Sequence, residues 1–228
     1  MSTIYGDPFL HPTLSGRHHG ENQTLFGIDN SDNTLVGDVD TITDHARGGK
    51  DHLTGGNNGG VGTIDNDLYG DAFTMSGSAR GGNDTLTGGN NSDSGTVSNN
   101  LRGDALTMSD YARGGHDALT GGSNGGSGDV SNDFRGDAFT MSGFARGGND
   151  TVTGGSNSGD GTVENRGSGD AFTMSDFARG GNDIVTGGNN SGNGFVLNGF
   201  GADAFFMSNS ARGGNDIVIG GNNSGVLS

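Results

Sequence analysis

Gly70-Asp71-Ala72-Phe73-Thr74-Met75-Ser76-Gly77-Ser78-Ala79-Arg80-Gly81-Gly82-Asn83-Asp84-Thr85-Leu86-Thr87-Gly88-Gly89 is the stretch whose recurrence decides the fold. Its Ala-Arg-Gly-Gly string begins at Ala46, Ala79, Ala112, Ala145, Ala178 and Ala211, always 33 residues apart. Met75, Met108, Met141, Met174 and Met207 keep the same interval, as do Asn66, Asn99, Asn132, Asn165 and Asn198. Beads on a chain tolerate insertions between units. Stacked coils do not, because one extra residue breaks the ladder, so a register this strict predicts a solenoid.

Local patterning says which kind. Gly-Gly pairs interrupt every candidate helix, and apolar residues alternate instead of following a 3.6 period. Phe73 and Met75 are expected on an inward face, with Thr74 and Ser76 outward. Leu86 points inward between Thr85 and Thr87, while Val97, Asn99 and Leu101 share one side of a third short strand. Turns are expected at Gly81-Gly82, Gly88-Gly89-Asn90-Asn91 and Gly103-Asp104. The expected class is all-β, a parallel β-solenoid (β-roll or β-helix) with three or more short strands per 33-residue unit. One large coil or two small ones per unit both satisfy the pattern. Asn stacked on Asn can form amide ladders. Residues 37–228 hold six units, the last incomplete; residues 1–36 read as a degenerate first repeat, a cap or an assembly end.

Composition bounds the function. Among 228 residues there are 50 Gly, 2 Pro and no Cys, and only 28% are hydrophobic, too few for an ordinary globular core. Without the repeat such a chain would be read as disordered. The net charge of −16 argues against nucleic acid and anionic lipid and favours cations. Lack of Cys removes disulfides, thiolate metal sites and cysteine nucleophiles. No apolar run approaches the ~18 residues of a membrane span, and residues 1–20 lack the apolar stretch of a signal peptide. Membrane insertion is therefore not expected.

Two acid columns share the repeat: Asp38, Asp71, Asp104, Asp137, Asp170, Asp203, and Asp51, Asp84, Asp117, Asp150, Asp183, Asp216. Like charges about 5 Å apart on successive coils repel. The columns can offer hard carboxylate oxygens to calcium beside backbone carbonyls of the Gly-rich turns. Alternatively they satisfy turn N–H groups as Asx-turns, with Arg80 pairing Asp71 or Asp84 and the other arginines of its column (Arg47, Arg113, Arg146, Arg179, Arg212) doing likewise. Two acids per Arg still leave a surplus.

The segment Gly82-Asn83-Asp84-Thr85-Leu86-Thr87-Gly88-Gly89 resembles the calcium-binding nonapeptide of repeats-in-toxin (hemolysin-type) proteins, Gly-Gly-x-Gly-x-Asp-x-U-x with U a large aliphatic. Its second half recurs in all six units, with U being Leu53, Leu86, Leu119, Val152, Val185 and Val218. The resemblance implies a β-roll that folds outside the cell on binding calcium, and secretion by a one-step bacterial route without an N-terminal signal. The chain departs from the family in three ways: Ala-Arg replaces the leading Gly-Gly, the neighbouring turns (Gly88-Gly89-Asn90-Asn91-Ser92-Asp93, then Gly121-Gly122-Ser123-Asn124-Gly125-Gly126) keep no constant Asp, and a 33-residue unit is not a pair of nonapeptides.

Other patterns have plainer readings. The Met column fills core. Six His occupy no common column, and His18-His19 is the single candidate pair for a transition metal. No Ser/His/Asp arrangement repeats, and a unit written six times describes a lattice, so no enzyme is expected. The pairs Thr41/Thr43, Thr74/Ser76, Thr107/Ser109, Thr140/Ser142 and Thr173/Ser175 resemble the hydroxyl ranks of ice-binding solenoids. Near the C-terminus outward polar positions turn apolar: Thr74 is matched by Phe206, Thr85 by Ile184 and Ile217, Thr87 by Ile219. Ile4-Tyr5-Gly6-Asp7-Pro8-Phe9 matches Leu68-Tyr69-Gly70-Asp71-Ala72-Phe73. Stacking one chain's end, with Phe206, Ile217, Ile219, Val226 and Leu227, on another's start, with Ile4 and Tyr5, nearly completes a repeat. The expected function is a secreted, calcium-binding structural protein stacking head-to-tail into extracellular filaments of a biofilm matrix or surface layer. The alternative is a monomeric ice-binding or surface-adhesion solenoid.

Overall fold

A computed structural model describes residues 2–7 and 12–225. The chain winds as a parallel β-solenoid in which each coil gives one strand to each of three seven-stranded sheets. The first sheet stacks Ser2–Tyr5, Asn33–Val36, Thr63–Tyr69, Thr96–Arg102, Asp129–Arg135, Thr162–Ser168 and Phe195–Gly201. The second stacks Thr13–Leu14, Val39–Ile42, Ala72–Met75, Ala105–Met108, Ala138–Met141, Ala171–Met174 and Ala204–Met207. The third stacks Thr24–Phe26, His52–Thr54, Thr85–Thr87, Ala118–Thr120, Thr151–Thr153, Ile184–Thr186 and Ile217–Ile219. One 33-residue unit is thus one three-sided coil. No helix occurs among the described residues, and none is long and apolar enough to cross a membrane.

Register is what the constant interval requires: Asn66 pairs Asn99, Asn99 pairs Asn132, and Leu86 pairs Leu119. The first coil is tighter. Ser2 lies 31 residues before its partner Asn33, and Thr13 only 28 before Thr41, yet both strands join the same sheets. The irregular start of the chain therefore shortens connections without breaking a ladder.

Three apolar stacks fill the interior. Val39, Ala72 and Ala105 stack with Ile42, Met75 and Met108 behind the second sheet. Leu35, Leu68, Leu101 and Phe134 meet Leu53, Leu86 and Leu119 between the first and third sheets. Ile64, Val97, Val130 and Val163 make the last stack. Small as it is, this core is supplemented by buried amides. Asn99 Nδ2 donates to Asn132 Oδ1 at 2.9 Å and to the Gly89 carbonyl at 2.9 Å, while its Oδ1 accepts from Gly89 N at 2.9 Å. The same bonds recur along Asn33, Asn66, Asn132 and Asn165. A second ladder, Asn91 to Asn124 to Asn157 to Asn190, runs through the turn that was expected at Asn90-Asn91.

One strand differs from expectation. Met75 is buried, but its inward companion is Ala72, and Phe73 stands half-exposed against Tyr69 with ring centroids 4.8 Å apart. The ladder pairs Ala72, Thr74 and Met75 with Ala105, Thr107 and Met108 but skips Phe73. That kink resets the alternation, so two residues three apart both face inward.

Candidate metal centre

Both Asp columns lie inside the coil: the first at the corner between the first and second sheets, the second just before the strands of the third sheet, with its Oδ2 atoms reaching the corner glycines. Asp38, Asp71, Asp104, Asp137 and Asp170 are at 0% exposure, and Asp51, Asp84, Asp117, Asp150 and Asp183 at 0–2%. Glycine makes room for them. A Cβ on Gly48 would sit 1.6 Å from Asp71 Oδ1, and one on Gly70 would sit 1.6 Å from the Gly103 carbonyl and 2.4 Å from Asp84 Oδ2. The glycines read as turns are also the space the carboxylates occupy.

Every column carboxylate but Asp71 has one oxygen engaged; Asp71 shares the N–H of Gly82 between Oδ1 at 2.9 Å and Oδ2 at 3.2 Å. Asp84 Oδ1 accepts the backbone N–H of Asp51 at 2.7 Å, and Asp117 and Asp150 accept from Asp84 and Asp117 in the same way. In the other column Asp104 Oδ1 accepts from Gly115 N at 2.8 Å and Asp137 Oδ1 from Gly148 N at 2.6 Å. The second oxygen has no donor. Asp51, Asp84, Asp104, Asp117, Asp137, Asp150, Asp170 and Asp183 each leave Oδ2 buried and unpartnered, and Asp38 leaves Oδ1. A buried acceptor without a partner is costly, and a buried charge without one far more so.

The expected arginine partners are elsewhere. Arg47, Arg80, Arg113, Arg146, Arg179 and Arg212 stand on an outer edge, all exposed, and none pairs with either Asp column. Ion pairs among the described residues join Arg102 and Arg135 to Asp133, and Arg166 to Glu164, on the outer face of the first sheet. Arg80 follows buried Ala79 and precedes the Gly pair beside the acids, so its side chain has only the outward direction open.

Burial accordingly pushes Asp38 up to about 8 and Asp51 and Asp183 up to about 7, with facing carboxylates adding to the shift. Asp71, Asp104, Asp117, Asp137, Asp150 and Asp170 are held well above the ordinary range by burial first and then by neighbouring acids. Burial likewise holds Asp84 well above that range, and repulsion from Asp51 and Asp38 adds to it. Protons or cations must therefore sit among these oxygens.

Among the described residues the oxygens converge at one place: one each from Asp38, Asp51 and Asp71 lie within 4.8 Å of one another, which fits a shared calcium shell with ligands at about 2.3–2.6 Å. An all-oxygen set without Cys or His suits a hard cation. At the ends the columns change. Asp203 and Asp216, on the final described coil, are partly exposed. Asp7, which matched Asp71 in sequence but was not counted as a ligand, is buried in the first column, with Oδ2 accepting from Glu21 N at 2.9 Å. Gln23 occupies the place of Asp51 in the first coil and donates to Asp7 Oδ1 at 3.1 Å.

The residues expected at the assembly ends divide. Phe206, Ile217 and Ile219 are exposed on the final coil, Ile4 and Tyr5 are half-buried on the first, and Val226 and Leu227 lie outside the described residues. Tyr5 donates its hydroxyl to Asp40 Oδ1. Compared with protein-family models, curated proteins and solved structures, the chain matches none.

Proposed function

We propose that this chain is a structural solenoid organised by calcium ions held between its two interior Asp columns. The observation that carries the reading is the run of buried carboxylate oxygens with no protein donor. Asp38, Asp51 and Asp71 would hold one ion; the equivalent carboxylates higher in the stack, whose oxygens do not converge as closely, would draw in to hold others. Each ion replaces a proton or an unpaired charge, so binding becomes folding free energy. The resemblance to repeats-in-toxin sequences supports the same cation, one-step secretion and an extracellular setting, where calcium modules bind at about 10⁻⁴–10⁻³ M. Isothermal titration of chelator-stripped protein with calcium and with magnesium tests it. Several calcium ions per chain, with little heat from magnesium, are expected. No calcium uptake would leave protons as the occupants and defeat the reading.

A second reading adds assembly. Phe195, Leu197, Phe206, Ile217 and Ile219 form an exposed apolar end, and the three strands there are paired on one side only. Apolar surface beside unpaired ladder groups is a stacking surface. Head-to-tail contact with the first coil of another copy would give an open filament, suited to a matrix or surface layer. Electron microscopy of the protein in calcium tests this. Fibres are expected, and uniform short particles at high concentration would exclude them.

A further inference from the structure

We propose that the outer arginine edge is a binding site for an extended acidic polysaccharide. Arg47, Arg80, Arg113, Arg146, Arg179 and Arg212 are bridged in parallel from coil to coil, and His19 continues the row onto the first coil. With Arg17 they make seven of the chain's 11 Lys and Arg residues on one edge of a molecule whose net charge is −16. Successive guanidinium groups repeat with the strand spacing of about 4.7–4.9 Å. All are exposed, and among the described residues none has a carboxylate partner. A row of unpaired like charges at that spacing is self-repelling, and a multivalent anion of similar period relieves it.

The flanks define the ligand further. A groove of about 660 Å³ follows the row past Arg17, His19, His45, Arg47, Arg80 and Tyr111. Higher up, Tyr111, Phe144 and Phe177 stack on one another at 5.1 and 5.0 Å with planes 4° and 6° apart. Stacked this way they present electropositive ring edges, which suit sugar hydroxyl oxygens. The faces between the rings are taken, so no slot opens between them for a nucleobase. Duplex DNA, with a charge every 1.7 Å or so, does not match the spacing of the row. Three acids share the edge, but Asp110 and Asp176 each accept a backbone N–H from the turn one coil below (Gly77 and Gly143), and Asp44 accepts from Gly16. Six arginines therefore face three tethered carboxylates. A polysaccharide with one carboxylate or sulfate per sugar ring meets each guanidinium fork in turn.

Chondroitin sulfate is the probe, because it carries alternating carboxylate and sulfate groups. Binding to the calcium-loaded full chain is measured against dextran, free glucuronic acid and single-stranded DNA. Binding of chondroitin sulfate alone is expected, weakening steeply as salt screens the row. Replacing Arg80, Arg113 and Arg146 together with Ala should weaken it at least tenfold while the circular dichroism spectrum is unchanged. Replacing the same three with Lys should recover part of the loss. Equal binding to dextran, tighter binding to DNA, undiminished binding in 1 M salt or an unaffected Ala variant would each overturn the proposal.

Discussion

A single buried Asp shows the central conflict of this molecule. Asp117 gives Oδ1 to the N–H of Asp84 and leaves Oδ2 with no donor, among other carboxylates. Folding therefore raises its proton affinity, as it does for Asp38, Asp51 and Asp183. The sign of the pH dependence follows. Below about pH 3 these groups are protonated folded or unfolded, and their burial does not oppose the fold. As pH rises toward about 7–8, the unfolded chain ionises freely while the folded chain resists, so stability is lost through that window. In chelator, the β signal in far-UV circular dichroism should be stronger at pH 5 than at pH 8. With calcium the order should shrink or reverse, and calcium affinity should fall on acidification as protons compete. A β signal independent of pH in chelator would mean the carboxylates are not buried together. Asp117→Asn keeps the acceptor and removes the charge. It should stabilise the calcium-free protein at pH 8 by roughly 1–3 kcal/mol while lowering the calcium stoichiometry.

At the scale of strands and turns, the glycine before each first-column Asp decides whether coils can close on one another. Gly70→Ala would drive a Cβ into the Gly103 carbonyl, a backbone atom that cannot swing aside. A loss of about 3 kcal/mol or more is expected, read as a fall in thermal midpoint. Asn99→Ala should cost a comparable amount, since it takes the acceptor from one N–H of Asn66 Nδ2, which keeps only the Gly56 carbonyl, and from the Gly89 N–H. An exposed control, Asn83→Ala, should change little. These elements also show how far the sequence could be read. The constant interval carried the parallel register and the Asn99 ladder, because both depend only on spacing. It did not carry the inward turn of Ala72 instead of Phe73, which follows from a skipped ladder position that leaves no mark in composition. Nor did it separate interior from turn for Asp71 and Asp84. The two Gly columns flanking them were a signal for close approach as much as for chain reversal, but Gly-Asp reads first as a turn. The outward course of Arg80 was hidden for the same reason, since its position relative to the acids depends on which way the corner folds.

For the whole molecule, a thin core and unneutralised interior acids predict that order depends on cations. Far-UV circular dichroism at neutral pH should show a largely disordered chain in chelator and a β spectrum in millimolar calcium; an unchanged β spectrum would sink calcium-driven folding. Assembly then depends on what the last coil can accept. Replacing Phe206 and Ile219 with Thr removes apolar surface from it and should reduce self-association. The corner sets a second condition. From Gly6 through Gly136, a Cβ would lie 1.6–1.7 Å from the carbonyl of the next coil, which is why glycine stands there in coil after coil. In the last coil that position is Ala202, whose own carbonyl accepts from Gly169 N while its methyl faces the side a further coil would take. A second copy stacked in perfect register would meet this methyl with the carbonyl of its Gly6. Contact must therefore stand off at one corner, or be made mainly through Phe206 and Ile219. Ala202→Gly removes the obstacle. If filaments continue the ladder, this variant should assemble at lower protein concentration and into longer fibres than the parent, as seen by light scattering and electron microscopy. If Ala202→Gly changes nothing while the two Thr substitutions abolish assembly, copies meet through the apolar patch alone and the solenoid does not run unbroken from one chain into the next.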